Sequence, residues 1–232
     1  MEDLELILRD AENREFIYDP RVNRYRYKDS GRLAPKQAII NLTRKRIRNT
    51  EKDLETITRM LFRDNMSLED WQRSSAKNLK TLHLENHLIG AGGLNNITDE
   101  DYLQIGRTLK SEYRYLRRFA QDIKSGRITE KQAQNRIKAY AKKAQTSYWK
   151  AKNSKIQKPF MRRRLSSAEH CPECVQYARL GWQPSGTLPM PGEASTCLYN
   201  CQCSVEYADE LPNTDSIDMA FQRFKSATGW IK

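Results

Sequence analysis

The sequence has no cysteine in its first 170 residues and none in its last 29, and no run of 18 apolar residues occurs in it. Without such a run, the sequence predicts no transmembrane helix. The first ten residues, MEDLELILRD, lack the basic region and the cleavage site of a signal peptide. We therefore expect synthesis and folding in a reducing cytoplasm, with no membrane contact.

Apolar residues are also scarce. The mean hydropathy is −0.85, and charged residues make up 30% of the 232-residue chain. This length is enough for one or two domains with a core of their own. Because apolar residues are few, we expect helices that each bury a narrow stripe, and no large globular core.

A recognisable catalytic constellation is missing as well. A hydrolase or nuclease needs carboxylates that converge, or a cysteine and a histidine that face each other in a cleft. The few acids of the C-terminal region have no suggestive spacing, and His170 directly precedes Cys171, which is poor geometry for a catalytic pair. We therefore predict that the protein is not an enzyme.

Positive charge is in excess and is unevenly placed. The net charge is +12, and residues 107–164 contain 19 Lys or Arg against three acids. Such a block is typical either of a solvated helix face or of a surface that contacts DNA, RNA or an acidic protein. No base-reading motif is present, so a nucleic-acid contact should be non-specific. The candidate contact residues are Arg114, Arg117, Arg118, Lys138, Lys142, Lys143, Lys150, Arg162, Arg163 and Arg164.

Hydrophobic periodicity predicts the order of the elements. An amphipathic helix is expected over residues 1–15 and a β-hairpin over residues 16–33. Four helices follow, at about residues 35–65, from 67 to the glycines at 90–93, 98–124 and 129–156, with capping boxes at Ser67 and Thr129. Short connections predict that the third and fourth helices lie antiparallel. A strand at 160–165, a helix at 174–180, a strand at 205–207 and a tail helix at 216–225 complete the chain.

His83 and His87 are four residues apart in the second predicted helix, a spacing that can place two metal ligands on one face. The sequence between and around them is HLENH, which does not match the HExxH pattern of zinc hydrolases. We interpret both histidines as packed or solvent-exposed residues and not as ligands.

Together these elements predict a mainly α protein: a helical bundle of about four helices with an N-terminal β-hairpin and a small C-terminal Cys-rich α+β module. The predicted domains are an N-terminal arm and hairpin over residues 1–34 and a basic helical bundle over residues 35–158. A Cys-rich, zinc-knuckle-like module covers residues 159–210, and a tail helix covers residues 211–232.

All five cysteines lie within residues 171–203, with the spacing C-x2-C, 22 residues, C-x3-C-x-C. Two such clusters can supply the ligands of one tetrahedral zinc ion, and the loop between them has little with which to build a core. Disulfides, which would leave an odd thiol, and a redox CxxC are the alternatives. The candidate metal ligands are Cys171, Cys174, Cys197, Cys201 and Cys203.

One cysteine exceeds the four places of a zinc site. Cys201 and Cys203 point to the same side if they lie on a strand, so both can bind, which makes Cys197 the candidate spare. His170 can substitute as a ligand, although a solvent-facing histidine before a turn is the simpler interpretation. The sequence leaves the choice of four open.

The same stretch carries a resemblance, in the run AEHCPECVQYARLGWQPSGTLPMPGEASTCLYNCQCSVEY. Its CxxC, the aromatic Trp182, the LPMPG segment at residues 188–192 and the NCQC at residues 200–203 resemble the C-terminal signature of tailed-phage minor head proteins. This is the head morphogenesis family that includes the Mu-type minor head protein. Many members have Arg where this chain has Gln202, and His about where it has Cys197.

The resemblance implies a structural protein of the virion, a minor head or portal-connector component made in the host cytoplasm and located in the head or neck. Its expected partners are other virion proteins (portal, major capsid or connector proteins) in an oligomeric assembly, and packaged DNA bound non-specifically. A structural Zn²⁺ is the expected cofactor. The alternative is a non-sequence-specific nucleic-acid-binding protein used in DNA packaging or regulation.

Overall fold

The computed structural model describes residues 8–10 and 12–211, and it confirms a mainly helical chain with an N-terminal hairpin and a Cys-rich C-terminal region. The chain divides between Lys155 and Ile156 into two compact units. The predicted tail helix falls on residues 212–232 and so lies outside the described residues. Among the described helices, none has the length and apolar character that a membrane span requires.

The helical unit begins with three short antiparallel strands, β1 (Leu8–Arg9), β2 (Glu15–Asp19) and β3 (Arg24–Tyr27). Five helices follow: α1 (Lys36–Phe62), α2 (Leu68–Ala91), α3 (Asp99–Lys124), α4 (Glu130–Lys143) and α5 (Gln145–Lys155). Side chains at Ser67, Thr98 and Thr129 accept hydrogen bonds from backbone N–H groups of the first turns of α2, α3 and α4. These caps satisfy donors that a helix start leaves unpaired.

Trp71 ties the start of α2 to the middle of the bundle. Its Nε1 donates to Thr58 Oγ1 at 3.0 Å, and its ring meets that of Phe119 edge-on with centroids 5.2 Å apart. At the other end of the same pair of helices, Arg46 Nη1 lies 2.6 Å from Glu85 Oε2. Early residues of α1 therefore contact late residues of α2, so the two helices are antiparallel.

The prediction that the third and fourth helices lie antiparallel is confirmed for α3 and α4. Lys143 Nζ lies 2.6 Å from Glu112 Oε1, and Arg136 Nη1 lies 2.7 Å from Asp122 Oδ2. The later residue of one helix pairs with the earlier residue of the other. This is the up-down-up-down arrangement that short connections favour.

The core of the bundle lies where these helices meet. The ion pair of Lys138 Nζ with Glu55 Oε1, at 2.9 Å, joins α4 to α1 and closes the ring of neighbours. The fully buried side chains of this core include Leu54, Trp71, Leu79, Leu82, Leu116, Phe119 and Ile137. Burying one large apolar side chain contributes roughly 1.5–3 kcal/mol, so this unit has a conventional hydrophobic core.

The predicted helix over residues 1–15 is wrong over the part that the structure describes. Leu8 and Arg9 form a strand in which Leu8 pairs with Phe16, and the Leu8 side chain is buried. A free helix this short is marginal in water, whereas the strand gains ladder hydrogen bonds from β2 and buries its leucine.

The single fourth helix predicted over residues 129–156 is in fact two helices, with the break at Ala144. After the break, α5 approaches α2 closely at Gly90, where an added Cβ would lie 2.2 Å from the Tyr148 carbonyl oxygen. Ser147 Oγ lies 2.8 Å from His83 Nδ1 of α2. Packing of α5 against α2 therefore accounts for the change of direction at Ala144. The sequence has no glycine or proline there that would have predicted it.

The hairpin docks on the ends of α2 and α5. Tyr25 donates its hydroxyl to the Ile89 carbonyl oxygen at 2.8 Å, and Asn23 Nδ2 donates to the Lys155 carbonyl oxygen at 2.9 Å. The Tyr18 ring lies against Gly92, which has a φ of +91° and would place a Cβ 2.4 Å from that ring. Gly92 is needed here for two reasons: it adopts a positive φ without strain, and it has no side chain that would clash with the Tyr18 ring.

The C-terminal unit is a small sheet with one helix. Strands β4 (Phe160–Arg164), β5 (Gln183–Pro184) and β6 (Ser204–Ala208) form an antiparallel sheet in the order β5-β4-β6, and α6 spans Pro172–Arg179. The predicted strands at 160–165 and 205–207 and the predicted helix at 174–180 are thus confirmed, with small shifts of their bounds.

Candidate metal centre

The cysteines lie at the start of helix α6 and just before strand β6. Cys171 is the N-cap of α6, with Pro172 as the first helical residue, and Cys174 lies in the first helical turn. Cys201 and Cys203 immediately precede β6, which pairs along its length with β4. Helix α6 and the sheet therefore bring together two cysteine groups that 22 residues separate in the sequence.

All five sulfurs lie in one cluster, with Cys174, Cys201 and Cys203 buried and Cys171 and Cys197 partly buried. Cys174 Sγ lies 3.6 Å from Cys197 Sγ and 3.7 Å from Cys201 Sγ. Two thiolates on one tetrahedral zinc at about 2.3 Å would be about 3.8 Å apart, whereas a disulfide bond is about 2.05 Å long. The distances therefore fit a shared metal ion, and no disulfide bond joins these five cysteines.

The cluster contains two groups of three sulfurs whose members lie within 4.8 Å of one another: Cys171, Cys174 and Cys197, and Cys174, Cys201 and Cys203. Cys174 belongs to both groups. The structure thus brings together every cysteine predicted as a ligand, in an arrangement that can hold a metal ion. Soft thiolate donors of this kind suit zinc, Cu(I) or iron–sulfur clusters.

His170 lies beside this centre and is partly buried, where it can serve as the substitute ligand that the sequence suggests. Its Nδ1 lies 3.5 Å from Cys203 Sγ, and its Nε2 lies 3.0 Å from the Ser166 carbonyl oxygen. A carbonyl oxygen only accepts, so Nε2 carries the proton and Nδ1 presents a lone pair. Its place directly before Cys171 was the sequence signal that it lies near the cluster.

The electrostatics of the cluster favour a bound cation. A hydrogen bond from the Cys203 thiol lowers the pKa of Cys201 to about 5. The same hydrogen bond, together with burial, raises the pKa of Cys203, and burial raises the pKa of Cys174 and Cys197. Without a metal, the sulfurs thus cannot all ionise, and a divalent cation provides the charge that lets several of them do so.

Arg163 lies beside the sulfurs and not on the predicted contact surface, so its assignment to that surface is corrected. Its side chain is 3% exposed because β4 turns it inward, and its positive charge helps lower the pKa of Cys201. Nη2 donates to the Pro189 carbonyl oxygen, and the guanidinium lies 5.6 Å from the centroid of the Tyr177 ring. Its Nε and Nη1 have no hydrogen-bond partner among the described residues.

Three further residues of the signature, Trp182, Leu188 and Met190, are buried in the same module. Trp182 is buried, with the Arg162 guanidinium 4.5 Å from its ring centroid. Within the LPMPG segment, Leu188 and Met190 are buried, and the Met190 N–H donates to Glu193 Oε2 at 2.9 Å. These residues form part of the buried interior of the module.

Glu173, in the first turn of α6, links the two cysteine segments. Its Oε1 accepts a hydrogen bond from Thr196 Oγ1 at 2.5 Å. That hydrogen bond is the main cause that lowers the pKa of Glu173 to about 2. The carboxylate therefore holds the segment before Cys197 against α6.

The other predicted contact residues fall into two groups. Arg114, Arg117 and Arg118 are exposed on α3, and within residues 8–10 and 12–211 none of the three lies within 4.0 Å of a carboxylate oxygen. The others are partly buried or engaged: Lys138 pairs with Glu55, Lys142 with Glu51, Lys143 with Glu112, Arg162 and Arg164 with Glu206, and Lys150 is half-buried on α5.

His83 and His87 are packed inside the helical unit, which is one of the two roles predicted for them. Both are buried in α2, where His83 bonds to Ser147 and His87 Nε2 lies 3.0 Å from Asp101 Oδ1. Lys155 Nζ also lies 2.5 Å from Asp101 Oδ2, so this carboxylate joins α2, α3 and α5. These histidines have structural roles inside the helical unit.

The comparisons with known proteins give no family for this chain. No protein-family model, curated protein or solved structure matches it. The resemblance of the cysteine segment to phage minor head proteins therefore stays a prediction.

Proposed function

We propose that the chain is a structural protein of a tailed-phage head, a minor head or portal-connector component, whose C-terminal module is held together by one zinc ion. A single observation carries the proposal. Within the segment that resembles the phage signature, the cysteines form one cluster, and Trp182, Leu188 and Met190 are buried in the same module.

Zinc is the metal that fits the proposed role. It has no redox chemistry, it accepts thiolate and imidazole ligands, and closed tetrahedral sites of this kind contribute directly to folding. Such a site needs reduced thiols when the protein folds, which agrees with synthesis in the host cytoplasm. When bound, the ion cross-links α6 to the segment before β6 and replaces part of a hydrophobic core.

The helical unit would serve as the scaffold that positions this module in the assembly. Its partners would be portal, capsid or connector subunits, and its exposed α3 arginines suit an acidic protein rim or packaged DNA. Attraction to phosphate is sensitive to salt and largely blind to sequence. The same three arginines are the observation that favours the second candidate function, a non-specific nucleic-acid-binding protein.

The proposal is tested on phage particles from a host that carries the gene. Mass spectrometry should detect the chain in purified heads, and deletion of the gene should yield defective heads or head–tail junctions. Replacing Cys201 and Cys203 by Ser should abolish incorporation, whereas Gln202→Ser, which changes the exposed residue between them, should not. Normal heads that form without the chain and never contain it would contradict the proposal.

A further inference from the structure

Two groups of three sulfurs share Cys174, and they differ in burial. Cys174, Cys201 and Cys203 are all buried, with at most 2% of each residue exposed, whereas Cys171 and Cys197 are only partly buried. Structural zinc sites have four protein ligands and no open coordination position. The buried group supplies three of these four ligands. The candidates for the fourth are Cys197, whose Sγ lies 3.6 Å from Cys174 Sγ, and His170.

His170 is placed to supply that ligand. A nitrogen and a sulfur bound to one tetrahedral zinc at about 2.0 and 2.3 Å lie about 3.5 Å apart. His170 Nδ1 lies 3.5 Å from Cys203 Sγ. The Ser166 carbonyl oxygen accepts from Nε2, and this second contact fixes the tautomer that leaves Nδ1 free to bind. The ring has still to approach Cys174 and Cys201, because it lies outside the group of three mutually close sulfurs.

Charge balance selects the same set of ligands. Arg163 is buried beside Cys201, and two of its guanidinium nitrogens have no partner among the described residues. A buried charge without a counter-charge is costly. Three thiolates and a neutral imidazole around Zn²⁺ carry a net charge of −1, which one guanidinium neutralises. Four thiolates around Zn²⁺ would carry −2 and leave one negative charge uncompensated.

We propose that Cys174, Cys201, Cys203 and His170 bind the zinc ion, that Arg163 is its charge partner, and that Cys171 and Cys197 stay outside the ligand set. Loading then releases protons from those ligand cysteines that are still thiols, since the sulfurs bind as thiolates and the imidazole binds in its neutral form. The two remaining cysteines keep free, partly accessible thiols. This inference rests on the zinc site of the proposed function and specifies its ligands.

X-ray absorption spectroscopy at the zinc edge, on the full-length zinc-loaded protein, tests the ligand set. We expect three sulfurs at about 2.3 Å and one nitrogen at about 2.0 Å. His170→Ala should remove the nitrogen contribution. The double variant Cys171→Ser with Cys197→Ser should keep one zinc per chain and the same spectrum. Cys203→Ser should lose the zinc. Four sulfurs in the wild type, or zinc lost from the double variant, would overturn the inference.

The role of Arg163 is tested by zinc affinity, measured by competition with a chromophoric chelator. Loss of such a supporting residue typically lowers metal affinity 10- to 100-fold, and we expect this for Arg163→Met. Arg163→Lys keeps the charge and should recover most of the affinity. Equal affinities of Arg163→Met and wild type would overturn its assignment.

The outcomes distinguish this inference from the function on which it rests. Zinc bound by four sulfurs would overturn only the ligand set. A protein that binds no zinc would overturn the ligand set together with the metal half of the proposed function. Whether the chain is part of a phage head is decided separately, by the particle experiment.

Discussion

The two units of this chain use different means to hold their shape. The helical unit buries large apolar side chains such as Trp71, Phe119 and Leu54 between helices whose polar faces remain in water. In the Cys-rich unit, five sulfurs cluster beside a sheet of short strands. The difference shows that an amphipathic pattern is enough to form a hydrophobic core where the helices are long. A short, Pro-rich segment buries too few apolar side chains for this, and its fold depends on the chemistry of its cysteines instead.

Removing zinc should produce the largest difference between the units. Apparent binding free energies of structural zinc are about 10–16 kcal/mol, and they contribute to folding. A strong chelator should therefore abolish amide protection in β4, α6 and β6 while protection in α1 to α4 persists. Hydrogen exchange read by mass spectrometry measures both at once. Equal loss in the two units, or no loss in either, would contradict the distinction.

The converse experiment destabilises the helical unit and leaves the zinc site alone. Trp71→Ala removes a fully buried ring and its hydrogen bond to Thr58, and such truncations cost about 3–5 kcal/mol. We expect a clear fall in the melting temperature of the helices and an unchanged zinc content. Leu103→Ala is the matched control, because this residue is 54% exposed on α3. Similar effects of both substitutions would argue against the described core.

Acid should weaken the helical unit through His83. Burial lowers its pKa to about 4, whereas an unfolded histidine titrates near 6.5. Between these values the unfolded state binds the extra proton, so the stabilising contribution is present above pH 6.5 and is lost as the pH falls toward 4. The loss amounts to about 3 kcal/mol.

The comparison with His83→Gln isolates this contribution, since glutamine can keep a hydrogen bond to Ser147 but does not titrate. The free energy of opening of α2, obtained from amide protection factors between pH 7 and pH 4, should fall less steeply with acid in the variant than in the wild type. Acid release of zinc and the titration of His87 affect both proteins and cancel in the difference. Parallel pH profiles would show that burial of His83 does not produce the effect.

The smallest effect on stability is expected on the outer face of α3. Replacing Arg114, Arg117 and Arg118 by Gln should change the free energy of unfolding by less than about 0.5 kcal/mol. If this face contacts DNA, the slope of log affinity against log salt should become shallower by about 2.7. Fluorescence anisotropy with duplex DNA measures the slope, with Lys138→Gln as the control for a charge already paired with Glu55. An unchanged slope would exclude these arginines as phosphate contacts.

The sequence predicts the helical unit best where side chains cap helices. Ser67 and Thr129 identify the starts of α2 and α4 because a hydroxyl before a helix has a local role that needs no tertiary context. Strand β1 and the break at Ala144 could not be found in the same way. Leu8 follows a helical pattern but is held by β2, and Ala144 favours helix but lies where α5 turns onto α2.

For the candidate site, the spacing of the cysteines predicts that they cluster, but it does not predict which other side chains lie beside the sulfurs. In the sequence, Arg163 is one of three successive arginines in a predicted strand, and the pattern does not show which of them is buried. The pairing of β4 with β6 shows that the Arg163 side chain lies inside the module. His170 reads as a loop residue, and its approach to Cys203 depends on the path of the chain before α6. Such orientations follow from tertiary packing, which a linear pattern does not encode.

The most direct test of a metal-held module is elemental mass spectrometry of the purified protein, combined with a count of reactive thiols before and after chelation. We predict about one zinc per chain, with reactive thiols that increase when the chelator removes it. No metal, together with blocked thiols that only a reductant releases, would contradict the account and would indicate a disulfide-locked module.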